Sequence, residues 1–274
     1  MICAWDAFLS ILPVRLRTDV DIWGHDLLQE LRLRVNAPPE LVLCKEIHYL
    51  SGDVKMEELK YIINAASKYS PWCASSLSQG YITAHGGHRI GVCGVSISNN
   101  GIVSGIKEVT SLCIRIARDF PGIGESASIR KKSLLVLGAP GWGKTTLLRD
   151  IIRNIGKMEA VCVVDERGEL FPDGIARGNR IDVMTGCPKR IGLDILLRTM
   201  GPQYIALDEI TEEQDCEAII NISNCGVKLL ASAHAYSKDD FYNRRVYKKL
   251  IEGNVFDILI VLNQDKSYRI ERIT

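Results

Sequence analysis

A chain of 274 residues is long enough for one large domain or two smaller ones. Apolar residues make up 46% and charged residues 24%, the balance of a folded globular protein, and 34 Lys and Arg against 33 Asp and Glu leave a net charge of +1. That neutrality excludes a global electrostatic pull toward nucleic acid or an anionic membrane and leaves only local patches for such partners. No apolar run approaches the ~20 residues of a membrane helix. The nine cysteines are odd in number and none is spaced C-x-x-C, so they read as small buried hydrophobes in a reducing compartment.

The opening "MICAWDAFLSILP" sets Trp5, Phe8, Leu9 and Leu12 at helical spacing, which predicts a helix packed on its own domain. Asp6 and the lack of an early positive charge argue against a signal peptide. In "QELRLRV" (29–35), Leu31, Leu33 and Val35 alternate with charges, a half-exposed strand. "KMEELKYIINAAS" (55–67) reads as a helix. Residues 80–109 are rich in Gly and β-branched residues, with "NNG" at 99–101 as a hairpin signal. The polar stretch 118–132 contains Pro and Gly and reads as a linker, with Gly122 and Gly124 as hinge positions.

Beyond it, strands and helices alternate. Strands are predicted at 133–138, 160–165, 203–208, 227–233 and 255–262, with an edge strand at 267–273. Helices are predicted at 145–155, 193–200 and 212–224, the last opened by a capping box of Thr211 and Gln214. This pattern argues for an α/β domain with a mostly parallel sheet covered on both faces. The expected division is an N-terminal α+β domain over 1–117, a linker over 118–130 and the α/β domain over 131–274.

"GAPGWGKT" (138–145) matches G-x-x-x-x-G-K-[ST] between a predicted strand and a predicted amphipathic helix. The backbone of Gly138, Ala139, Pro140, Gly141, Trp142 and Gly143 would cradle phosphates. Lys144 would reach the β- and γ-phosphates of ATP, Thr145 would hold Mg²⁺, and Thr146 would cap the helix or contact the α-phosphate. Such a loop needs a carboxylate from another strand end. Asp208, closing "YIALD", is the candidate Mg²⁺ partner, and Glu209 the candidate general base. Asp165 and Glu166 close the strand after the P-loop helix and are assigned a supporting role, by water-mediated Mg²⁺ contact or by orienting water. His234 in "SAHAYS" lies just beyond a strand on the same rim and would sense the γ-phosphate or polarise water. "HGGH" (85–88) lacks a nearby carboxylate or thiol for a metal site.

The blocks "QELRLRVNAPPEL", "GYITAHGGHRIGVCG", "CIRIARDFPG", "VVDERGEL", "LLRTMGPQYIALDEI" and "SAHAYS", together with the P-loop, resemble the stage III sporulation AA family over nearly the whole chain. That family is related to the hexameric ATPases of type II and type IV secretion and pilus systems. The resemblance implies a RecA-like P-loop NTPase domain preceded by a smaller α+β domain. It implies an "Asp box" at Asp165 and Glu166, a Walker B pair at Asp208 and Glu209, and a "His box" at His234. It further implies ATP hydrolysis with Mg²⁺, a homo-oligomeric ring, hexameric in the relatives, and a cytoplasmic place in the mother cell. There the ring would dock on membrane-embedded channel proteins during endospore formation, associated with the membrane through its partners. N-terminal arginines, Arg115 and Arg118 above all, would reach the γ-phosphate on domain closure. Two features depart from the pattern. Secretion ATPases commonly have Gly-Glu where this chain has Asp208-Glu209, and sporulation relatives have Gly-Arg after "DEI" where this chain has "TEEQD". A nucleic-acid-associated P-loop motor and a slow-turnover nucleotide switch stay open as alternatives; the charge balance gives no support to nucleic acid as a partner.

Overall fold

The computed structural model describes residues 1–44, 46–67, 80–99, 102–125 and 131–273. The chain divides into two compact units, Met1–Asp119 with Pro172–Ile175, and Phe120–Phe171 with Ala176–Thr274.

The first unit begins with three short helices, α1 (Trp5–Ser10), α2 (Val14–Asp21) and α3 (Gly24–Leu27). Strands β1 (Leu28–Arg34), β2 (Glu40–Leu43) and β3 (Ile47–Tyr49) precede helix α4 (Met56–Ser67). Strands β4 (Tyr81–Thr83), β5 (Arg89–Asn99) and β6 (Ile102–Arg115) complete a six-stranded antiparallel sheet in the order β3-β2-β1-β6-β5-β4. The alternation in β1 is realised: Leu31 and Leu33 are buried with Ile90, Leu112 and Ile114, beneath Phe8, Leu12, Leu59 and Ile62. The opposite face carries ion pairs between Glu30 and both Arg32 and Arg115, and between Arg34 and Glu40. The expected turn at 99–101 falls partly outside the described residues, but β5 and β6 pair antiparallel up to Asn99 and Ile102.

The second unit is the α/β sandwich that the alternating segments predict. Its elements are β7 (Leu134–Leu137), α5 (Lys144–Ile155), β8 (Val161–Asp165), β9 (Ile181–Thr185), α6 (Lys189–Met200), β10 (Tyr204–Ile210) and α7 (Glu213–Ser223). There follow β11 (Lys228–Ala233), α8 (Lys238–Asn243), α9 (Lys248–Glu252), β12 (Ile258–Leu262) and β13 (Tyr268–Arg272). The sheet order is β13-β12-β7-β11-β10-β8-β9, parallel except for β13. Strand β11 therefore sits between the strand that leads into the P-loop and the strand that ends in Asp208 and Glu209. One face packs Leu135, Leu137, Val164, Leu207 and Leu229 against Leu193, Leu196 and Ile219 of α6 and α7. Leu147, Leu148, Ile151 and Ile152 of α5 are buried outside that cluster, on the other face. No helix among the described residues is long and apolar enough to cross a membrane.

One local expectation is corrected: the capping box of α7 is formed by Glu212 and Asp215, one residue later than Thr211 and Gln214. At the expected hinge, the Asp150 carboxylate, buried on α5, accepts hydrogen bonds from Gly122 N at 3.0 Å and Gly124 N at 2.8 Å. Residues 126–130 of the expected linker lie outside the described residues.

Candidate active site

The P-loop runs from the end of β7 into α5. Gly141 and Gly143 have φ of 76° and 99°, a conformation open to glycine and strained for other residues, and Gly143 stands at the N-cap of α5. The first-turn N–H groups and the helix dipole therefore face the loop, a setting for an anion. Lys144 opens the helix and is only 7% exposed. Its ammonium lies 3.4 Å from Ala139 O and 3.7 Å from Glu209 Oε1. Lys266 Nζ donates to Gly141 O at 2.8 Å and ties the β12–β13 turn to the loop.

Asp208 and Glu209 are neighbours in a strand, and strict alternation would send their side chains to opposite faces. The register shows why both reach the P-loop. β10 pairs with β11 through Ala206–Leu230 and resumes at Glu209–Ser232, three steps on β10 against two on β11. The extra residue is a β-bulge, and it turns both carboxylates toward α5. Asp208 Oδ1 lies 3.5 Å from Thr145 Oγ1, and Glu209 faces Lys144. The Thr145–Asp208 separation is long for a hydrogen bond, and the two oxygens would hold Mg²⁺ between them, directly or through water. Burial, together with the Asp165 and Glu209 carboxylates, pushes the Asp208 pKa up to about 6, against the pull of Lys189 and Lys144. A hydroxyl beside a buried carboxylate crowded by further negative charge is a donor set that fits a hard divalent cation. Among the described residues no group of three or more His, Cys, Asp or Glu is placed to hold a metal, so phosphate oxygens and water would complete the shell.

Asp165 is fully buried at the end of β8. Its Oδ1 accepts from Glu169 N and its Oδ2 from Phe171 N, both at 2.8 Å. Burial raises its pKa, opposed by loop N–H groups and Arg149. Arg149 of α5 donates to Leu170 O and, at 2.8 Å, to Glu169 O. Asp165, expected to support Mg²⁺, thus has both oxygens hydrogen-bonded to the loop 166–171, while Asp208 is the carboxylate facing Thr145. Glu166 points to a cation the sequence reading did not single out, Lys189 Nζ at 3.2 Å, which also meets Asp215 Oδ2 at 3.3 Å.

His234 follows β11. Its backbone N–H donates to Tyr247 Oη at 3.2 Å, and that phenol lies 3.4 Å from both Ile210 O and His234 O, joining the ends of β10 and β11. His234 Nε2 and Ser232 Oγ are buried without a partner among the described residues. The His234 ring is 5.9 Å from Tyr236, which meets Trp142 of the P-loop edge-on at 5.8 Å. Thr146 lies in the first turn of α5.

Arg115 and Arg118 are engaged within the first unit. Arg115 Nε pairs with Glu30 at 3.2 Å. The Arg118 guanidinium donates to the carbonyls of His25 at 2.8 Å, Asp26 at 3.5 Å and Leu28 at 2.6 Å. In the same unit, His85 Nδ1 lies 2.7 Å from Asp173 Oδ2, a carboxylate distant in sequence.

The family described as "Sporulation stage III, protein AA" matches residues 7–273. The chain belongs to this family. It is 37% identical over 256 residues to the Stage III sporulation protein AA of Bacillus subtilis (strain 168), covering 87% of this chain and 83% of that protein. Among solved structures it is similar to the Yersinia pseudotuberculosis ATPase DotB, with a TM-score of 0.64 and 15% identity over 97% of this chain and 81% of that one. It is also similar to the pilus retraction motor PilT with bound ADP, with a TM-score of 0.62 and 13% identity over 90% of this chain and 76% of that one. At such identities the likeness is one of fold: this stage III AA family member has the α/β P-loop fold of secretion and pilus ATPases.

Proposed function

We propose that this chain hydrolyses ATP and uses the resulting conformational change to act on a membrane-embedded complex during endospore formation. The observation that carries the ATPase reading is the bulged end of β10, which sets Asp208 against Thr145 and Glu209 against Lys144. Lys144 and the N–H groups of residues 141–146 bind the phosphates. Thr145 and Asp208 hold Mg²⁺, which neutralises phosphate charge when bound. Glu209 accepts the proton of the attacking water, and His234 Nε2 faces the γ-phosphate or that water. Family membership and the fold shared with DotB and PilT support the reading. The same resemblance supports a ring of copies, a hexamer, docked on channel proteins at the mother-cell side of a membrane.

Lys144→Ala is the test of the phosphate cradle. Loss of a charge-assisted contact worth roughly 1.5–3 kcal/mol should weaken ATP binding about tenfold or more, measured by titration of the folded variant. Unchanged affinity would remove the assignment. A second reading, a slow-turnover switch, is favoured by the Lys144–Glu209 pair, which occupies the proposed base until phosphate draws the lysine away. Tight ATP binding with negligible steady-state turnover would select it.

A further inference from the structure

Lys189 is a cation in an unfavourable place. It is the first residue of α6, its side chain is 10% exposed, and the first turn carries Arg190 beside it with no acidic residue. A helix N-terminus repels positive charge, and taking an ammonium out of water costs more still. What offsets this is a pair of carboxylates from two other elements. Glu166 Oε2, just past β8, lies 3.2 Å from Nζ, and Asp215 Oδ2, in the first turn of α7, lies 3.3 Å away. Asp215 is itself anchored: the same oxygen accepts from Thr211 N at 3.0 Å, Thr211 Oγ1 at 3.3 Å and Glu212 N at 3.4 Å. Those donors follow Asp208 and Glu209 by two to four residues. The ammonium thus joins the loop after β8 to the backbone that leaves the bulged end of β10.

The approach of α6 is set by Gly192. A Cβ there would lie 2.7 Å from Val164 Cγ1, so only glycine lets the helix start this close to β8. The placement of Lys189 is therefore built by packing and is not a chance meeting of long side chains.

We propose that Lys189 is a positioning residue for hydrolysis: it holds the Glu166 carboxylate at the rim of the site by bridging it to Asp215. The assignment rests on the ATPase reading above. It makes the two acidic strand ends one mechanical piece, so that a shift of the α7 start moves Glu166 with it.

The test uses the full chain with Lys189→Met, Lys189→Arg, Glu166→Gln and the Lys189→Met/Glu166→Gln double variant. Lys189→Met should lower kcat by about tenfold to a hundredfold, the usual effect of losing a group that orients another, with KM for ATP nearly unchanged. Lys189→Arg should restore much of the rate, and the double variant should be no slower than the slower single variant. Hydrogen exchange without nucleotide gives a readout independent of turnover. Amides of residues 166–171 and 211–212 should exchange faster in Lys189→Met than in the wild type. Wild-type kcat in Lys189→Met, effects that multiply in the double variant, or unchanged exchange would overturn the proposal. If the wild-type chain hydrolyses nothing, the ATPase reading falls with the catalytic part of the assignment, while the exchange still decides whether Lys189 holds Glu166.

Discussion

One inserted residue between Ala206 and Glu209 decides what two adjacent carboxylates can do. Without the bulge, one of Asp208 and Glu209 would face α6 and α7 and the other α5; with it, both face the P-loop. The residue types were legible in the sequence, because a P-loop requires a carboxylate at a strand end. The bulge was not, because register depends on β11, which lies beyond the next helix in the chain. Lys189 and Tyr247 were not legible for the same reason: their partners are distant in sequence. The one local signal for Lys189 was a pair of basic residues after Pro188 in the first turn of a helix, where acidic residues are favoured. Arg118 shows the converse. Its place before the linker suggested a phosphate sensor, yet its donors meet three carbonyls around α3 and the start of β1. Arg118→Ala should therefore destabilise the first unit by about 1–3 kcal/mol in chemical denaturation, with ATP affinity little changed. Wild-type stability combined with slowed hydrolysis would instead assign Arg118 to the phosphates.

At the scale of elements, an amphipathic helix and unbroken apolar runs are legible, and short mixed strands are not. α5 and the parallel strands β7, β8, β10 and β11 carry enough apolar residues to declare themselves. β2, β3 and β9 have 4, 3 and 5 residues that mix polar with apolar types, and they gain stability from neighbours in the sheet. In the 85–88 turn, His88 is a core residue. Ala117 N donates to its Nδ1 at 3.2 Å and its Nε2 lies 3.0 Å from Ala4 O, an arrangement that requires the neutral ring with the proton on Nε2. Burial pushes the His88 pKa below its ordinary value, and nearby His85 adds to this, against the hydrogen bond to Ala4. The unfolded chain therefore binds the proton that the folded chain refuses. Stability of the first unit should fall as pH drops below about 6.5, the ordinary imidazole value, by up to about 1.4 kcal/mol per pH unit for this one proton. Above that value the residue should contribute no pH dependence. Urea unfolding at pH 5.5 and 7.5, with His88→Gln as the comparison, measures this; an equal loss on acidification in the variant would give the effect to other groups.

At the scale of the molecule, the sequence suggested a cut near residues 117–130, and compactness places it after Asp119. Pro172–Ile175 joins the first unit, and Gly86 N donates to Asp173 O there at 2.8 Å. No composition shift marks that excursion, since it is defined by contacts across more than eighty residues of chain. The loop that Asp165 shapes thus runs directly into a segment of the first unit, which gives the acidic strand end after β8 a structural duty apart from chemistry. The proposed division of labour between the two acidic pairs gives the chemistry to Glu209, which faces Lys144, and has Glu166 held by Lys189. The most direct measurement is steady-state Mg·ATP hydrolysis by the full chain carrying Glu209→Gln or Glu166→Gln, with ATP binding measured on the same samples. Glu209→Gln should bind Mg·ATP like the wild type and lose kcat by roughly 10²–10⁴-fold, with Glu166→Gln falling far less. Full activity in Glu209→Gln, with hydrolysis abolished in Glu166→Gln, would contradict the account and give the catalytic role to the other pair.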